Sequence, residues 1–499
     1  MKFPTSFYNP LSLLGSILAS ISLLIIVFFL IAMSLFDFGG SYIGLLIFII
    51  IPVFLVLGLI LIPIGMIRRS KKIKRAQNGK AAKGIKLDLN DKRHWNAIAL
   101  FVFVTFLFLF LTGIGSYEAF HYTESNEFCG LLCHKVMEPE YVAYQGSAHS
   151  RVACVECHVG TGADWYVKSK LSGLYQVYSV LAKKYPQPIP TPVKNLRPAR
   201  ETCEKCHWPG KSYSYRLSNE KHYLADTLNT EWNIQLKMKV GPEHSSLGLT
   251  EGIHWHISEE IKIEYKASSH DREFLPWVRY INTSSGDTVV YNDMYASLDK
   301  ESVDTMEIRV MDCIDCHNRP SHHYLPPQEF TDMLIASGEI SSDLPGIKRL
   351  AMDVLNTPFN DRDSARLSIR TNFFDFYSSN YPEILDKRKD DVDMALEALL
   401  QAYSKNIFPE MGASWDVYPN HIGHVEFNGC FRCHNGNHKA DNGSLISRDC
   451  NLCHTILGQG TRDNYETVAI NSSLEFKHPV DIDESWKEYA CTDCHRYLY

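Results

Sequence analysis

Long runs of apolar residues occur in this 499-residue chain only before residue 115. Three of these runs, residues 11–36, 43–67 and 95–114, each reach the roughly 20 residues that a helix needs to cross a bilayer. Beyond residue 115, apolar and polar residues are interspersed as in a water-soluble protein. The pattern therefore predicts a membrane anchor of three helices over residues 1–114, followed by a soluble body.

The loop between the second and third runs indicates the orientation of this anchor. Residues 68–93 carry 11 Lys or Arg and only two acids. Because loops rich in Lys and Arg remain cytoplasmic, we expect this loop and the N-terminus inside the bacterial cytoplasmic (inner) membrane and the body in the periplasm. A cleavable signal peptide is the alternative for the first run, which is longer than the usual stretch of roughly 7 to 15 residues.

Residue periodicity predicts several elements in the body. Residues 164–184 have an amphipathic helical pattern, so this helix lies either on the bilayer surface or against the body. Alternating residues over about 223–305 predict a β-containing insertion with a hairpin of strands 274–281 and 288–291. His254 and His256 alternate with apolar residues, which predicts a strand with both rings on one face. Residues 325–415 have helical patterns.

The cysteines carry the chemical signal. All 14 cysteines fall into seven pairs, each followed directly by His, in six C-x-x-C-H motifs and one motif with an extra residue. Two thiols at this spacing add to the vinyl groups of one haem, and the adjacent His ligates the iron. Zinc sites and disulfides are the rival interpretations, but neither requires that His. The predicted attachment residues are Cys129, Cys133, Cys154, Cys157, Cys203, Cys206, Cys313, Cys316, Cys430, Cys433, Cys450, Cys453, Cys491 and Cys494, and the predicted proximal ligands are His134, His158, His207, His317, His434, His454 and His495.

Seven covalently bound c-type haems in so short a body indicate a multihaem cytochrome c, mostly α-helical or irregular and packed around its haems. Seven of the 21 histidines lie in the motifs and His94 lies on the predicted cytoplasmic side, so the distal ligands are sought among the remaining 13 histidines and one methionine. Since His254 and His256 cannot both fill one axial position, we expect at least one of them to do something else; Met137 either ligates the first haem or packs against it. The candidate distal ligands are Met137, His149, His222, His254, His256, His322, His424, His438 and His478, with His121, His244, His270, His323 and His421 as weaker candidates.

The charge of the body limits its partners. Residues 115–499 hold 38 Lys or Arg and 54 Asp or Glu, a formal charge of −16. A nucleic-acid partner is excluded, because a phosphate-binding surface needs a basic excess. An acidic body predicts a soluble electron acceptor with a basic face, whose association salt weakens.

Residues 129–318 resemble the tetrahaem quinol dehydrogenases of the NapC/NirT family, in the order of the first four motifs and in the local sequences at residues 151–159 and 313–317. The whole plan of three helices, four such motifs and a trihaem extension is similar to the heptahaem ImcH-type inner-membrane cytochromes of metal-respiring bacteria. The chain departs from the NapC/NirT pattern in the extra residue of its first motif, in the later position of Met137, in Val177 where some members have aspartate, and in its three anchor helices instead of one.

The resemblance implies an activity. Menaquinol from the quinone pool is oxidised at the outer face of the membrane, and electrons pass through the haems to a periplasmic soluble cytochrome c in anaerobic or extracellular respiration. It places Lys170 near the quinol, Met137 on the first haem and His149 on the fourth. It also divides the body into a tetrahaem domain, residues 115–325, and a helical connector with a trihaem domain, residues 326–499.

Two other functions stay open at this point. One is a terminal reductase that converts a small molecule such as nitrite at a haem with an open axial position. The other is a haem-bearing electron-transfer subunit of a larger quinol-oxidising complex, with the quinol site in a membrane partner subunit. The uniform motifs and the surplus of histidines favour six-coordinate haems, and hence electron transfer.

Overall fold

A computed structural model describes residues 6–36, 50–76, 92–131, 134–160, 162–193, 197–207, 215–241 and 252–496. The chain forms two compact units. The smaller comprises residues 1–137 and 153–155, and the larger comprises residues 138–152 and 156–499. The smaller unit therefore extends through the first cysteine motif, beyond the predicted boundary after residue 114. The boundary predicted at residue 325 lies inside the larger unit.

The smaller unit contains the predicted membrane helices. Its helices are α1 (Pro10–Phe36), α2 (Ile51–Ala76), α3 (Lys92–Thr123) and α4 (Asn126–Leu131). Three of them, α1 to α3, are long and apolar enough to cross a membrane. The third continues to Thr123, beyond the predicted end at residue 114. Residues 43–49 of the second predicted run lie outside the described residues.

Small residues hold α1 and α2 together as an antiparallel pair. A Cβ added to Gly58 would lie only 2.7 Å from the carbonyl oxygen of Gly15, so the two backbones are in direct contact there. Nearby, the hydroxyl of Ser12 donates a hydrogen bond of 2.8 Å to the carbonyl of Ile62. Such close approach of small residues, together with polar contacts between helices, is how helices associate in lipid, where the hydrophobic effect does not drive them together.

The body combines short helices at the motifs with a longer helical bundle. Its helices are α5 (His134–Gly146), α6 (Cys154–His158), α7 (Ala163–Leu181), α8 (Ala199–Cys203), α9 (Lys300–Thr305), α10 (Cys313–Cys316), α11 (Pro327–Ser337), α12 (Ile347–Leu355), α13 (Arg362–Asn380), α14 (Pro382–Lys387), α15 (Lys389–Asn406) and α16 (Cys491–His495). Helices α6, α8, α10 and α16 carry motif cysteines, while the fifth and sixth motifs begin in 3₁₀ turns, Gly429–Arg432 and Cys450–Leu452.

Helices α11 to α15 form a bundle with an apolar core of its own. Phe373, Leu396 and Leu399 are fully buried in it. The helical prediction for residues 325–415 is thus confirmed. This region needs no haem to fill its interior, although we expected haems to make up much of the core.

A buried ion pair links helices α11 and α12 within this bundle. The Nζ of Lys348, whose residue is only 2% exposed, lies 2.6 Å from a carboxylate oxygen of Asp332. Burial lowers the pKa of Lys348, and the Asp332 charge opposes that effect. The same carboxylate accepts a hydrogen bond from the backbone N–H of Tyr223 at 3.2 Å.

Replacing Asp332 by Asn is expected to destabilise the folded body by about 3–5 kcal/mol, because it leaves the Lys348 charge buried without a counter-charge. The free energy of unfolding, measured by denaturant titration of the purified protein, checks this. Glu397→Gln is the matched control, since Glu397 pairs with Arg366 and Arg370 at exposed side chains and its replacement should cost at most about 1 kcal/mol. Equal losses in the two variants would contradict the prediction.

Two antiparallel sheets join the predicted insertion to the C-terminal region. The strands are β1 (Tyr215–Tyr223), β2 (Glu231–Lys239), β3 (Ile261–Lys266), β4 (Trp277–Asn282), β5 (Thr288–Asp293), β6 (Arg309–Val310), β7 (His438–Ala440), β8 (His454–Thr461) and β9 (Tyr465–Thr467). The orders are β1-β2-β8-β9 and β6-β3-β4-β5-β7.

The predicted hairpin is present as β4 and β5, which pair from Trp277 with Asn292 to Ile281 with Thr288. The insertion is not a separate module, however. Strand β2 pairs with β8, which follows the sixth motif, and β5 pairs with β7, which follows the fifth. These backbone hydrogen bonds explain why the body does not divide at residue 325.

Candidate haem sites

Six of the motif histidines each face a second histidine ring. The ring centroids of these pairs are 5.8 to 6.3 Å apart. Two metal–nitrogen bonds of about 2.0–2.1 Å plus a ring radius on each side give a separation of about 6 Å, so the gaps fit an iron between two imidazoles. The pairs are His158 with His322, His207 with His149, His317 with His254, His434 with His256, His454 with His424, and His495 with His478.

One short segment supplies two of these partners. His254 and His256 lie in a 3₁₀ turn, Ile253–Ile257, and not in the predicted strand. The His254 ring faces His317 of the fourth motif, and the His256 ring faces His434 of the fifth. The turn sends the two rings in different directions, so each serves a different motif. The H-x-H spacing could have suggested this, but assuming a strand concealed it.

His149 also has an unexpected partner. Its ring lies 6.1 Å from that of His207 in the third motif, whereas the resemblance implied the haem of the fourth motif. The Nδ1 of His149 lies 3.2 Å from the carbonyl oxygen of Pro320. His254 occupies the position opposite His317 instead.

Burial favours the form of these rings that binds metals. In the second motif's pair, His158 and His322, and in the fifth motif's pair, His256 and His434, burial is the largest cause of a lowered pKa. Burial likewise lowers the pKa of His454 to about 4. A neutral imidazole keeps a lone pair for a metal, so the sites favour ligation over a charged ring.

Hydrogen bonds at Nδ1 orient several of the rings. The Nδ1 of His256 donates to the carbonyl of Ile253 at 2.8 Å, and the Nδ1 of His434 donates to that of Ser447 at 2.9 Å. The Nδ1 of His478 donates to the carbonyl of Val480 at 2.7 Å. A proton held at Nδ1 leaves Nε2 of a neutral ring unprotonated and able to ligate an iron.

Two of the predicted distal ligands have protein atoms close to their ring nitrogens. The Nδ1 of His222 lies 3.3 Å from a carboxylate oxygen of Asp332, and this ring is in none of the six pairs. His438 is fully buried; its Nε2 donates to the carbonyl of Leu275 at 2.7 Å, and its Nδ1 lies 3.2 Å from Oδ1 of Asn435. Both nitrogens of His438 are therefore occupied by protein atoms, because the ring fills the space between β7 and the loop at Leu275.

Replacing His438 by Gln is expected to leave every haem low-spin while destabilising the body by about 1–3 kcal/mol, because a buried hydrogen bond is lost but no ligand. Electron paramagnetic resonance of the oxidised protein and a denaturant titration check the two parts. A new high-spin ferric signal would show instead that His438 ligates an iron.

The weaker candidate His421 is also held by backbone. Its two ring nitrogens lie 3.0 Å from the carbonyl oxygens of Asp315 and Asp271. Burial lowers its pKa to about 3. His421 thus joins the motif of Cys313 and Cys316 to the loop between β3 and β4, and it is in none of the six pairs. His244 lies outside the described residues.

The first motif is described only in part. Cys133 and the side chain of His134 lie outside the described residues. Met137 is half-buried on α5, three residues after His134. The Cys129 side chain is hydrogen-bonded to Cys154 of the second motif, which lowers the pKa of the Cys154 thiol to about 7.

Within the larger unit the cysteines of successive motifs are neighbours. The Cys203 thiol is hydrogen-bonded to Cys313 and feels the charge of Cys157, and both raise its pKa. Burial raises the pKa of Cys316 to about 12, with contributions from Cys430 and Cys433. Electrostatic interactions between thiols likewise link Cys430 with Cys453, and Cys450 with Cys491. From the second to the seventh motif, the sites therefore follow one another in sequence order.

The predicted amphipathic helix is present as α7. Its apolar face is uncovered: Leu171, Leu174 and Leu181 are 64%, 69% and 81% exposed. Lys170 lies on this helix with its Nζ 5.0 Å from the ring centroid of Tyr166. Lys168 has a similar ring contact, with its Nζ 4.7 Å from the ring centroid of Trp165, but it is exposed whereas Lys170 is half-buried.

Comparisons with known proteins identify the family of this chain. Residues 91–189 match the N-terminal region of the NapC/NirT cytochrome c family. Over 488 residues the chain is 41% identical to the cytochrome c-type protein ImcH of Geobacter sulfurreducens, which covers 98% of this chain and 95% of that protein. The chain belongs to the ImcH family of c-type cytochromes.

This cytochrome has a second relative in NrfH, a cytochrome c-type protein of Wolinella succinogenes. The two are 28% identical over 131 residues, which is 26% of this chain and 73% of NrfH. No solved structure matches the chain. The family makes this a membrane-anchored multihaem cytochrome with covalently bound haem c, as predicted.

Proposed function

We propose that this ImcH-family cytochrome carries seven haems, oxidises menaquinol at the periplasmic face of the inner membrane, and delivers electrons to a soluble periplasmic cytochrome c. The observation that carries the proposal is the set of six facing histidine pairs, each built on a different C-x-x-C-H motif. An iron held by two imidazoles has no free position for a substrate, which favours electron transfer over reduction of a small molecule at the metal.

Each pair combines a proximal motif histidine with one distal ligand: His322 for the second motif, His149 for the third, His254 for the fourth, His256 for the fifth, His424 for the sixth and His478 for the seventh. Met137 is the axial ligand proposed for the first haem, because the family resemblance implies a methionine ligand close after the first motif's histidine. The sequence order of neighbouring motifs supports a single path for electrons. The seven haems, once bound, accept and pass on one electron each.

Helix α7 is proposed to lie on the bilayer surface. An exposed row of leucines is costly in water but stable in the interfacial region of a membrane, where Lys168 and Lys170 can extend to the head groups. Menaquinol releases two protons with its two electrons, so a basic side chain at this surface is needed. Lys170 is the group proposed to stabilise the quinol anion and accept a proton.

The formal charge of −16 on residues 115–499 supports an acceptor with a basic face. Such an encounter is steered by charge, so added salt should slow it. The acceptor is identified here only by this chemistry.

The purified protein in lipid nanodiscs tests the proposal. We expect seven haems per chain by pyridine haemochrome analysis, and reduction by a menaquinol analogue without any other subunit. Chemical reducibility with dithionite but no reduction by the quinol would indicate an electron-transfer subunit whose quinol site lies in a partner.

A further inference from the structure

One of the six histidine pairs has a carboxylate beside it. The Nδ1 of His322 lies 2.9 Å from the carbonyl oxygen of Glu140 and 3.2 Å from a carboxylate oxygen of the same residue. Elsewhere in the described ranges, histidine–carboxylate contacts involve His222 and His421, which belong to none of the pairs. Among the described residues, the pair of the second motif is therefore the one with a carboxylate close to a ring nitrogen.

Glu140 is held firmly in this place. The Nη2 of Arg319 lies 3.4 Å and 3.3 Å from its two carboxylate oxygens. The Nε of Arg319 donates to the carbonyl of His322 at 2.7 Å, so the guanidinium also fixes the segment that carries the ligand. The side chains of Glu140 and Arg319 are only 14% and 5% exposed, so solvent screens the charges weakly.

Aromatic rings complete the enclosure of Arg319. Its guanidinium lies 4.3 Å from the ring centroid of Tyr418 and 5.0 Å from that of Tyr324. Both contacts have the geometry of cation–π interactions. The arginine is therefore positioned from three sides, and it presents Glu140 to His322.

A negative charge at this position has a predictable effect on a bound haem. A carboxylate near Nδ1 makes the imidazole a stronger donor to iron and favours the ferric state. The charge of Arg319 acts in the opposite direction. The Glu140 carboxylate, however, lies 3.2 Å from the Nδ1 of the His322 ring, whereas the Nε of Arg319 contacts the backbone carbonyl of that residue.

We propose that Glu140, oriented by Arg319, is a positioning residue that lowers the reduction potential of the haem at the second motif. The inference rests on the proposed pairing of His158 with His322. With methionine on the first haem, whose potential such ligation raises, Glu140 would make transfer from the first haem to the second the uphill step. It would thereby set how strongly reducing the quinol pool must be.

Glu140→Gln tests the proposal, since it removes the charge but keeps the length and the backbone carbonyl. In a visible spectroelectrochemical titration with chemical mediators, we expect the component of one haem to move to higher potential while the others stay in place. The electron paramagnetic resonance spectrum should remain low-spin. A titration curve identical to that of the wild type would overturn the proposal and leave the backbone carbonyl as the relevant acceptor.

Three further variants make the test secure. Glu397→Gln removes exposed ion pairs with Arg366 and Arg370 in the bundle and should leave every potential unchanged. Glu140→Asp should give a shift between those of the wild type and Glu140→Gln, because a shorter side chain withdraws the charge from the ring. His322→Ala should create one high-spin haem; without that signal the pairing fails. None of these readouts depends on quinol oxidation, so they separate this proposal from the activity.

Discussion

Lys170→Leu is expected to lower the rate of menaquinol oxidation about 10²-fold, at the low end of what a positioned acid or base contributes to a proton transfer. A leucine keeps the apolar contacts of α7 but can neither stabilise a quinol anion nor take its proton. Steady-state reduction of the purified cytochrome by a menaquinol analogue measures the rate. Haem content and reduction by dithionite should stay unchanged, which separates this loss from a defect in assembly.

Lys168→Leu is the matched control for this prediction. Both lysines lie on α7 with the ammonium group near an aromatic ring, at 4.7 Å for Lys168 and 5.0 Å for Lys170. If the lysines serve only as interfacial anchors, the two replacements should have similar effects. A quinol oxidation rate in Lys170→Leu equal to that of Lys168→Leu would remove Lys170 from the mechanism.

His254→Ala and His256→Ala are each expected to convert one haem to high-spin, and not the same one. The rings face different motifs, His317 and His434, so each replacement opens a different iron. Electron transfer from quinol to a soluble acceptor should fall at least about tenfold in either variant, since a lost axial ligand changes the potential of a haem in the middle of the series.

The two single variants and the double variant together test whether His254 and His256 serve two different haems. The structure indicates that they do, whereas the sequence pattern predicted a strand with both rings on one face. Two high-spin signals in the double variant, one from each single variant, are the expected result in electron paramagnetic resonance. Were both histidines to serve one haem, one of the single variants would be silent. His438→Gln is a suitable companion, because it removes a buried imidazole that faces no motif histidine.

The distal ligands show where prediction from sequence reached its limit. Proximity to a motif in the chain selected His322, His424 and His478, which face motif histidines, but it also selected His222 and His438, which do not. Nearness in sequence is a weak guide here, because an axial partner often comes from another part of the chain. Glu140 offered no sequence signal at all, since a glutamate on a helix is ordinary.

The prediction of domain boundaries from sequence was limited for a related reason. The alternating pattern of β4 and β5 predicted their hairpin correctly, because register within a hairpin depends on local residues. The pairing of β2 with β8 and of β5 with β7 joins distant segments, and no local pattern specifies such partners. The predicted insertion and the predicted boundary at residue 325 therefore both lie within one compact unit of the structure.

The sequence by itself determined the properties that depend on neighbouring residues. Helix length against bilayer thickness defined the membrane helices, and the spacing of two cysteines and a histidine defined the covalent attachment of haem c, which the family supports. Only the tertiary structure decided which histidines face each other, how the 3₁₀ turn divides His254 from His256, and where Glu140 lies. Those arrangements depend on contacts between residues far apart in the chain, whose geometry arises only when the body packs.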